Sequence, residues 1–410
     1  MTRSPAPLLP LDDALSQLLA GAHPLGENEQ VSAFDADGRV LAIDVVSPLR
    51  VPPQDNSSMD GYAVRCFDVP VAATELAVGQ RIPAGYSANA LQPSCAARIF
   101  TGAPIPAGAD AVVMQEDCEL LGAGQLVRVK RVPFAGQWIR RAGEDVALGA
   151  TVLAAGTRLG PAALGMAASV GLASLTVARR PRVALFSTGD ELVMPGEVAP
   201  QQMPPGAIYN SNRFFLRAML IRLGCVVSDM GIVSDRRDAT IAALRAAAAA
   251  HDMVLTSGGV SVGEEDHIKP AVMSLGTLDL WQIAIKPGKP FAYGRIGAAH
   301  FVGLPGNPVS SFVTFALLVR PFLLRLQGAT EVAVARSPMR ADFSWPKADR
   351  RREFLRVQRN AGGGLDLFSH QSSGVLTSAV WADGLVDNPA GAVISPGQQV
   401  AYVAFADLLA

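Results

Sequence analysis

The chain has 410 residues, of which 50% are hydrophobic and 17% are charged, and its 35 basic and 36 acidic residues give a formal net charge of −1 at pH 7. A chain of this length predicts roughly two to four domains with sizeable cores, and the balanced charge argues against a surface built for nucleic acid. The four cysteines form no C-x-x-C pair, which argues against a zinc site or a disulfide framework and fits a reducing compartment.

The N-terminal segment, M-T-R-S-P-A-P-L-L-P-L-D-D, is interrupted by prolines and acids before the apolar core of a signal peptide could form. Leu11–Ala20 has apolar residues at helical spacing and predicts a short amphipathic helix, and residues 39–46 predict a strand. The most apolar late segment, residues 312–324, is interrupted by Arg320 and Pro321 and is too short to span a bilayer. We therefore expect a cytoplasmic protein that does not contact membranes.

Residues 51–64, V-P-P-Q-D-N-S-S-M-D-G-Y-A-V, predict an irregular loop with tight turns. Polar loops between apolar strands often carry binding groups, although a hairpin turn in which Asp60 only caps the backbone is equally compatible with the motif. Residues 69–147 contain many short β-like runs and predict an all-β domain. Its polar turns are Thr101-Gly102-Ala103-Pro104, Arg140-Arg141 and Gly143-Glu144-Asp145.

Residues 161–170 predict a helix that begins with a proline and stops before Gly171. The domain limits that follow are a helical N-terminal and linker region at residues 1–50 and 147–180, a β domain at 51–146, an α/β domain at 181–328 and a C-terminal β domain at 329–410.

Residues 182–327 alternate between strand and helix patterns. Strands are predicted at residues 183–186, 225–233, 253–255, 280–285 and 301–303, and helices at 212–223, 239–250 and 310–326. Alternation of this kind is typical of a doubly wound, parallel α/β sheet.

Residues 252–270, D-M-V-L-T-S-G-G-V-S-V-G-E-E-D-H-I-K-P, combine a buried strand, a glycine turn and three acids. Small residues let the backbone approach a ligand and expose its N–H groups. On this stretch alone, a solvated loop is nearly as good an interpretation.

Repetition along the chain strengthens the functional interpretation. Because ligands bind at the carboxyl ends of the strands in such sheets, residues that directly follow predicted strands should share one rim. These residues are Glu191, Asp235, Asp266, Lys286, Lys289 and Asn307. A single polar strand end is easily explained as a solvated loop, but several polar strand ends on one rim are not.

The rim residues suit a phosphorylated or oxyanionic substrate held with Mg²⁺, which prefers one or two carboxylates plus phosphate oxygens and water. Glu191, Asp235 and Asp266 are the candidate ligands or water positioners, and Lys286 and Lys289 are compact charges suited to an anion. The chain has neither a G-x-x-x-x-G-K-[ST] nor a G-x-G-x-x-G motif, which weakens the interpretation as a standard NTPase or dinucleotide-binding protein. In the C-terminal domain, Arg350-Arg351-Arg352 and Gln371-Ser372-Ser373-Gly374 are by default solvated clusters.

Eight motifs in order along the chain resemble those of the molybdopterin molybdenumtransferase family (MoeA and the E domain of gephyrin). They are D-N-S-S-M-D-G-Y-A-V at 55–64, T-G-A-P at 101–104, G-E-D at 143–145, S-T-G-D-E-L at 187–192, Y-N-S-N at 209–212, T-S-G-G-V-S-V-G at 256–263, I-K-P-G-K-P at 285–290 and G-L-P-G-N-P-V-S at 303–310. The similarity extends over nearly the whole chain, and eight ordered motifs are far more specific than one glycine loop.

The resemblance implies insertion of molybdate into adenylated molybdopterin with release of AMP and with Mg²⁺, by an elongated homodimer. The implied fold is a linker region, a β domain, an α/β domain like that of molybdopterin adenylyltransferases and a C-terminal β-barrel. The β-domain loops would face the α/β rim across the dimer. Contacts with the molybdopterin adenylyltransferase and with acceptor molybdoenzymes are also implied.

The resemblance also implies roles for individual residues. The catalytic residues would be Asp60, Glu191, Asp235 and Asp266, the last three also as metal ligands. The substrate-binding residues would be Thr101, Glu144, Asp145, Ser257, Gly258, Gly259, Ser261, Lys286, Lys289, Pro305 and Asn307, with the two lysines holding the oxyanion. Arg351, Arg352 and Ser373 match the family loosely.

Two other functions stay open at the sequence level. A non-catalytic scaffold of the same fold would not release AMP, and an adenylyltransferase would consume ATP. Molybdate and tungstate have the same charge and nearly the same size, so the sequence does not distinguish between them.

Overall fold

The structure, a computed structural model, describes residues 8–233, 236–259 and 268–409. Three of the predicted site residues, Asp235, Ser261 and Asp266, lie outside these ranges.

From residue 8 to residue 178, the described chain forms two α-helices and twelve strands. They are α1 (Leu11–Ala20), β1 (Asn28–Ser32), β2 (Val45–Val46), β3 (Asn56–Ser57), β4 (Gly61–Val64), β5 (Thr74–Ile82), β6 (Cys95–Ile99), β7 (Ala111–Met114), β8 (Cys118–Leu121), β9 (Leu126–Val129), β10 (Ile139–Arg140), β11 (Thr151–Leu153), α2 (Pro161–Ser169) and β12 (Ser174–Ala178).

The linker region is built from both ends of this part. Strand β1 pairs antiparallel with β12, and β2 with β11, so the region contains two small sheets beside α2. The strand predicted at residues 39–46 is mostly wrong, since only Val45–Val46 is a strand and Val40 and Leu41 make isolated bridges. Helix α1 is confirmed, and it buries its apolar face in the core of the α/β domain.

The β domain is a six-stranded sheet with the order β7-β4-β6-β5-β9-β8. Both faces of the sheet are covered, because alternate residues of β4 enter different hydrophobic clusters: Tyr62 and Val64 enter one, and Ala63 enters the other. The all-β prediction for this region is confirmed.

The described residues of the α/β domain form the following strands and α-helices. They are β13 (Arg182–Thr188), β14 (Leu192–Val193), β15 (Ile208–Tyr209), α3 (Ser211–Arg222), β16 (Val226–Val233), α4 (Arg237–Ala250), β17 (Met253–Ser257), α5 (Ile268–Leu275), β18 (Gly276–Gln282), β19 (Ile285–Lys286), β20 (Pro290–Ile296), β21 (Ala299–Leu304), α6 (Pro308–Thr314) and α7 (Arg320–Leu326).

The main sheet has the order β16-β13-β17-β21-β20-β18. Its first four strands are parallel, while β20 runs antiparallel to both of its neighbours. Alternate residues of the central strands enter clusters on opposite faces, with α3 and α6 on one face and α4 and α5 on the other. The doubly wound fold class is thus confirmed. The strand predicted at 280–285 is only partly right, because residues 280–282 belong to β18 and Ile285 begins the separate short β19.

Helices α6 and α7 are joined by a π-helical turn, Phe315–Val319. The resulting helix, Pro308–Leu326, is long and apolar enough to cross a membrane by length and composition, but 89% of its apolar window is buried inside the protein. It is therefore the core helix of the domain, as its burial indicates.

The C-terminal domain contains β22 (Ser337–Ala341), β23 (Arg352–Arg359), β24 (Gly364–Leu367), α8 (Thr377–Trp381), β25 (Gly384–Asn388), β26 (Gln399–Ala404) and α9 (Phe405–Leu409). The strand order β23-β24-β22-β26-β25 returns to β23 through the β23–β25 pairing, so five strands close into a barrel. The predicted C-terminal β-barrel is confirmed. Strand β19 of the preceding domain pairs in parallel with β23 and joins the two domains.

Candidate functional site

Three parallel strands end side by side at the carboxyl edge of the α/β sheet. Ser187 of β13 is in register with Ser257 of β17, and Ser257 is in register with Leu304 of β21. The Gly258 N–H donates to the carbonyl of Leu304 at 3.0 Å. The sequence P-G-N-P at 305–308 follows directly and leads into α6.

The glycine pair after β17 is required by its surroundings. Gly258 has φ +93, and a Cβ there would lie 2.7 Å from the carbonyl oxygen of Thr188; Gly259 has φ +69 and would bring a Cβ to 2.7 Å from Ile268. Only glycine combines a positive φ with so little space. The T-S-G-G motif therefore lets the β17 turn pack directly against the end of β13.

Asn212, in the first turn of α3, links elements of the rim through hydrogen bonds. Its buried side-chain amide donates to Ser257 Oγ at 2.8 Å and to the Gly306 carbonyl at 2.6 Å. One side chain thus connects α3, β17 and the loop after β21. In the sequence, the only signal for this asparagine is its place at the end of the Y-N-S-N motif.

Several buried polar atoms at these strand ends have no hydrogen-bond partner among the described residues. They are Ser187 Oγ, Thr188 Oγ1, Thr256 Oγ1 and Asn210 Nδ2. Buried polar groups are nearly always satisfied by protein, water or ligand. Ser187, Thr188 and Thr256 lie at the carboxyl ends of β13 and β17, so a polar ligand bound at this edge would be able to satisfy such groups.

The acids expected to bind metal are only partly described. Glu191 is exposed at the turn after β13, and its carboxylate occupies the space that a Cβ of Gly189 would need. Within residues 8–233, 236–259 and 268–409, no group of three or more His, Cys, Asp or Glu side chains is close enough to hold a metal ion. Two of the three predicted ligands lie outside these ranges, so the ligand set stays a prediction.

Lys286 lies in β19, beside the barrel. Its Nζ is 2.9 Å from Glu353 Oε1 and 3.3 Å from Asp349 Oδ2, and Glu353 is 1% exposed. Burial lowers the pKa of Lys286, but the hydrogen bonds and negative charges of these two carboxylates outweigh burial and raise it overall. Lys289, three residues later, is exposed and makes no ion pair with a described residue.

The loop that carries both lysines lies against the start of the core helix. A Cβ at Gly288, where φ is +114, would lie 3.5 Å from the carbonyl of Ser310 and would collide with Thr314. On the same helix, the Val309 N–H donates to the Ser373 carbonyl of the barrel at 2.9 Å. The first turns of α6 therefore contact the lysine loop and the barrel, directly after the P-G-N-P loop with its buried Pro305 and exposed Asn307.

The arginine cluster of the barrel is not a solvated face. Arg351 forms an ion pair with Asp349 at 2.9 Å. Arg352 pairs with the buried Asp387 and with Asp12 of α1. The default interpretation of this cluster was wrong for these two residues. The partners of Arg352 are distant in sequence, whereas the partner of Arg351 is only two residues away.

In the β domain, Asp60 and Thr101 are in direct contact. The exposed Asp60 carboxylate accepts hydrogen bonds from the Thr101 N–H and hydroxyl, both at 2.8 Å. These bonds lower the pKa of Asp60, the backbone bond having the larger effect. The carboxylate is therefore held as an anion. Asp60 does more than cap the backbone of its own turn, because its partner Thr101 lies on another loop.

Neighbouring loops of the β domain are joined by Asp55 and Arg141. Arg141 forms an ion pair with Asp55 at 2.6 Å, and Asp55 also accepts from the Ala142 N–H. Glu144 is exposed and accepts from the Arg141 N–H at 2.9 Å, while Asp145 is exposed beside it. The sequence analysis did not single out Asp55, whose partner lies 86 residues away.

The predicted site residues thus form two groups. One group lies on the loops of the β domain (Asp60, Thr101, Glu144 and Asp145), and the other lies at and near the α/β rim (Glu191, Ser257, Gly258, Gly259, Lys286, Lys289, Pro305 and Asn307). Among the residues that the structure describes, no hydrogen bond or ion pair joins the loop group to the rim group.

Comparison with known proteins gives three family matches along the chain. They are the MoeA N-terminal region (domain I and II) over residues 9–171, the probable molybdopterin binding domain over residues 184–325 and the MoeA C-terminal region (domain IV) over residues 338–405.

Individual relatives agree with these matches. The chain is 44% identical over 322 residues to the molybdopterin molybdenumtransferase of Haemophilus influenzae, with 78% of each chain covered. It is 38% identical over 385 residues to molybdopterin molybdenumtransferase 2 of Mycobacterium tuberculosis, with 90% of this chain and 93% of the relative covered. Its fold is similar to the crystal structure of the molybdopterin biosynthesis MoeA protein from Pyrococcus horikoshii OT3, with a TM-score of 0.84, 29% identity, and 97% and 100% of the two chains covered.

Proposed function

The chain belongs to the molybdopterin molybdenumtransferase family, whose members are transferases of molybdenum cofactor biosynthesis, and we propose that it inserts molybdate into adenylated molybdopterin and releases AMP in the presence of Mg²⁺. The observation that carries the proposal is the group of buried, unpartnered polar atoms at the carboxyl ends of β13 and β17 and at the start of α3. These atoms would be satisfied by the polar groups of the substrate.

The rim residues would act by positioning and by electrostatics. Asn212 holds the ends of β17 and β21 together, so the hydroxyls around them have fixed positions before substrate binds. Preorganised dipoles of this kind stabilise developing charge without reorganisation. The glycine pair keeps this edge free of side chains.

Mg²⁺ fits the residues present, since the exposed Glu191 carboxylate follows the strand whose end carries the unpartnered hydroxyls Ser187 and Thr188. Glu191, together with Asp235 and Asp266, would hold the ion. When bound, Mg²⁺ would neutralise phosphate charge and favour departure of AMP.

Lys289 would bind molybdate. Its ammonium is exposed and pairs with no described carboxylate, whereas the charge of Lys286 is already balanced by Glu353 and Asp349. A compact ammonium is a suitable partner for a tetrahedral oxyanion.

A homodimer would bring the β-domain loops to the α/β rim. Support comes from the two separate groups of site residues in one chain and from large apolar side chains exposed on the linker region. Phe34 is 98% exposed, Leu148 61%, Ile43 53% and Val46 50%. Exposed apolar patches of this kind often mark interfaces. Light scattering after gel filtration should give a mass twice that of the chain, and the substitution Phe34→Ser should lower it.

The experiment that tests the function supplies purified protein with adenylated molybdopterin, molybdate and Mg²⁺ and measures AMP. Asp266→Ala and Lys289→Ala should fold normally, by circular dichroism and thermal unfolding. Asp266→Ala should lose AMP release, and Lys289→Ala should lose most of it at molybdate concentrations near the wild-type KM. A matched control is Glu197→Ala, which changes an exposed acid outside the rim. Wild-type turnover in both site variants would remove these residues from the mechanism.

The same assay separates the alternatives. Consumption of ATP with molybdopterin would identify an adenylyltransferase, and absence of AMP release from a folded, substrate-binding protein would favour a scaffold. We place the reaction in the cytoplasm, where the molybdopterin adenylyltransferase would supply the substrate and acceptor molybdoenzymes would receive the product.

A further inference from the structure

Trp138 has a backbone conformation that bulky residues rarely adopt. Its φ is +54, in the left-handed region. The other described non-glycine residues with positive φ are small ones: Ala73, Ser94 and Ala123. For a bulky side chain this conformation is strained, and glycine or asparagine would adopt it more easily.

The indole of Trp138 lies outside the hydrophobic clusters of the described residues, and Trp138 is 39% exposed. The other three tryptophans have clear structural contacts: Trp281 stacks on Phe291, Trp345 donates to Glu353 and Trp381 packs against Phe368. Backbone strain at a residue that joins no hydrophobic core is the kind of feature that concentrates at functional sites.

The position of Trp138 connects it to Asp60. The Trp138 carbonyl accepts from the Ser58 N–H at 3.0 Å, two residues before Asp60, and the next residue, Ile139, pairs with Ser57. On the other side of the same loop, the Gly102 N–H donates to the Ser57 carbonyl at 2.8 Å. The backbones of residues 138 and 102 therefore flank the loop that ends in Asp60.

The turn before Trp138 is held firmly and exposes a second aromatic ring. The side chain of Gln137 accepts from the Phe134 N–H at 3.1 Å, and the Gln137 carbonyl accepts from the Val112 N–H at 2.9 Å. Phe134 is 69% exposed. The turn thus exposes two aromatic residues and is joined through its backbone to the loop that carries Asp60, which suits it to a planar ligand.

We propose that Trp138 is a substrate-binding residue that stacks on a planar heteroaromatic ring, either the pterin or the adenine of the substrate. This inference rests on the proposed function, which supplies a substrate with two such rings. Aromatic rings gain binding energy from offset stacking in addition to the area they bury, which would offset the backbone strain of Trp138.

The test compares three substitutions in the full-length protein. Trp138→Gly removes the ring and relieves the strain, Trp138→Tyr keeps an aromatic ring, and Ala123→Gly is the matched control that relieves the same backbone strain on a distant turn, where φ is +54. Thermal unfolding, KM and kcat for AMP release, and tryptophan fluorescence with added AMP or added pterin are measured for each.

Trp138→Gly should be more stable than the wild-type protein but should bind the substrate more weakly. For a domain of the size of residues 51–146, the unfolding midpoint should rise by about 4 °C in both Trp138→Gly and Ala123→Gly. The KM of Trp138→Gly should rise about tenfold, with little change in kcat. Trp138→Tyr should keep the wild-type KM within about threefold. The compound that quenches Trp138 fluorescence, AMP or pterin, identifies the ring.

Three results would overturn the inference. One is a stabilised Trp138→Gly with wild-type KM, the second is a destabilised Trp138→Gly, which would mean that the indole packs structurally, and the third is absence of quenching by both compounds. If the wild-type protein itself releases no AMP, the proposed function fails instead, and quenching by AMP or pterin still decides whether Trp138 binds a ring.

Discussion

The two lysines of the I-K-P-G-K-P motif should give opposite phenotypes when their charges are removed. Lys286→Met should destabilise the protein and leave the KM for molybdate nearly unchanged. Lys289→Met should leave stability unchanged and raise that KM about tenfold or more, since a charge-assisted contact is worth about 1.5–3 kcal/mol. Methionine retains most of the aliphatic stem, so that the comparison isolates the ammonium group.

The expected loss of stability follows from the burial of the partners of Lys286. Removing one member of a fully buried pair costs about 3–5 kcal/mol, whereas exposed pairs contribute about 0–1 kcal/mol. Here the side chain of Glu353 is 1% exposed and that of Lys286 is 38% exposed, so solvent screens the pair in part. Glu353 also keeps the Trp345 Nε1–H as a donor at 2.7 Å. We therefore expect a loss of about 2 kcal/mol for Lys286→Met and less than about 0.5 kcal/mol for Lys289→Met.

The assay is urea unfolding followed by tryptophan fluorescence. Trp345 is a direct probe of the pair because its Nε1–H donates to the Glu353 carboxylate. A double-mutant cycle with Glu353→Gln isolates the interaction energy of the Lys286–Glu353 pair. The double variant should lose only about half of the sum of the two single losses in free energy of unfolding, because it leaves no charge of the pair without its partner. Unchanged stability of Lys286→Met, together with a molybdate KM as high as that of Lys289→Met, would refute the reasoning. Lys286 would then bind the anion.

Three further predictions concern the rim and the core. Asn212→Leu should lower the free energy of unfolding by about 1–3 kcal/mol, because the buried Ser257 hydroxyl and the carbonyl of the exposed Gly306 lose their donor; urea unfolding measures this, and AMP release should fall with it. Gly258→Ala should destabilise more than Gly196→Ala, since both have positive φ but a Cβ at Gly196 meets only open space; thermal unfolding of the two variants compares them, and equal losses would contradict the steric argument. Burial lowers the pKa of His300 to about 4, so the folded state resists protonation and stability should fall between pH 6.5 and pH 4, by at most about 3 kcal/mol; His300→Gln should flatten this part of the pH profile.

Local patterns in the sequence were sufficient for much of the fold. Helix α1 and the strands that carry the T-S-G-G and G-L-P-G-N-P motifs follow from periodicity and from glycine and proline punctuation. The sequence predicts that the glycine pair lets the backbone come close to a ligand. In the structure, the group that comes close to Gly258 is the end of β13. Such features depend on residues near in sequence, which is why they could be predicted.

Long-range pairings could not be predicted in the same way. Strand β20 was missed because residues 283–289 do not form a tight hairpin turn between β18 and β20; this segment makes β19, which pairs with the barrel. The partners of Lys286 lie 63 and 67 residues away, and no local pattern indicates them. The positive φ of Trp138 is equally invisible in a stretch with no glycine or asparagine at that position.

The start of the core helix shows why the barrel is part of the site and not an appended module. The first turns of α6 contact the P-G-N-P loop, the lysine loop through Gly288, and the barrel through Ser373. Barrel residues Phe354, Leu385 and Val403 also enter the same hydrophobic cluster as the inner face of the α/β sheet. Because cores packed at this density transmit small displacements, a shift of the barrel would move the lysine loop and the rim together. The two family matches, residues 184–325 and 338–405, are thus separate in sequence, but the domains they cover share one core. Substrate binding at the rim should therefore stabilise both domains as one unit.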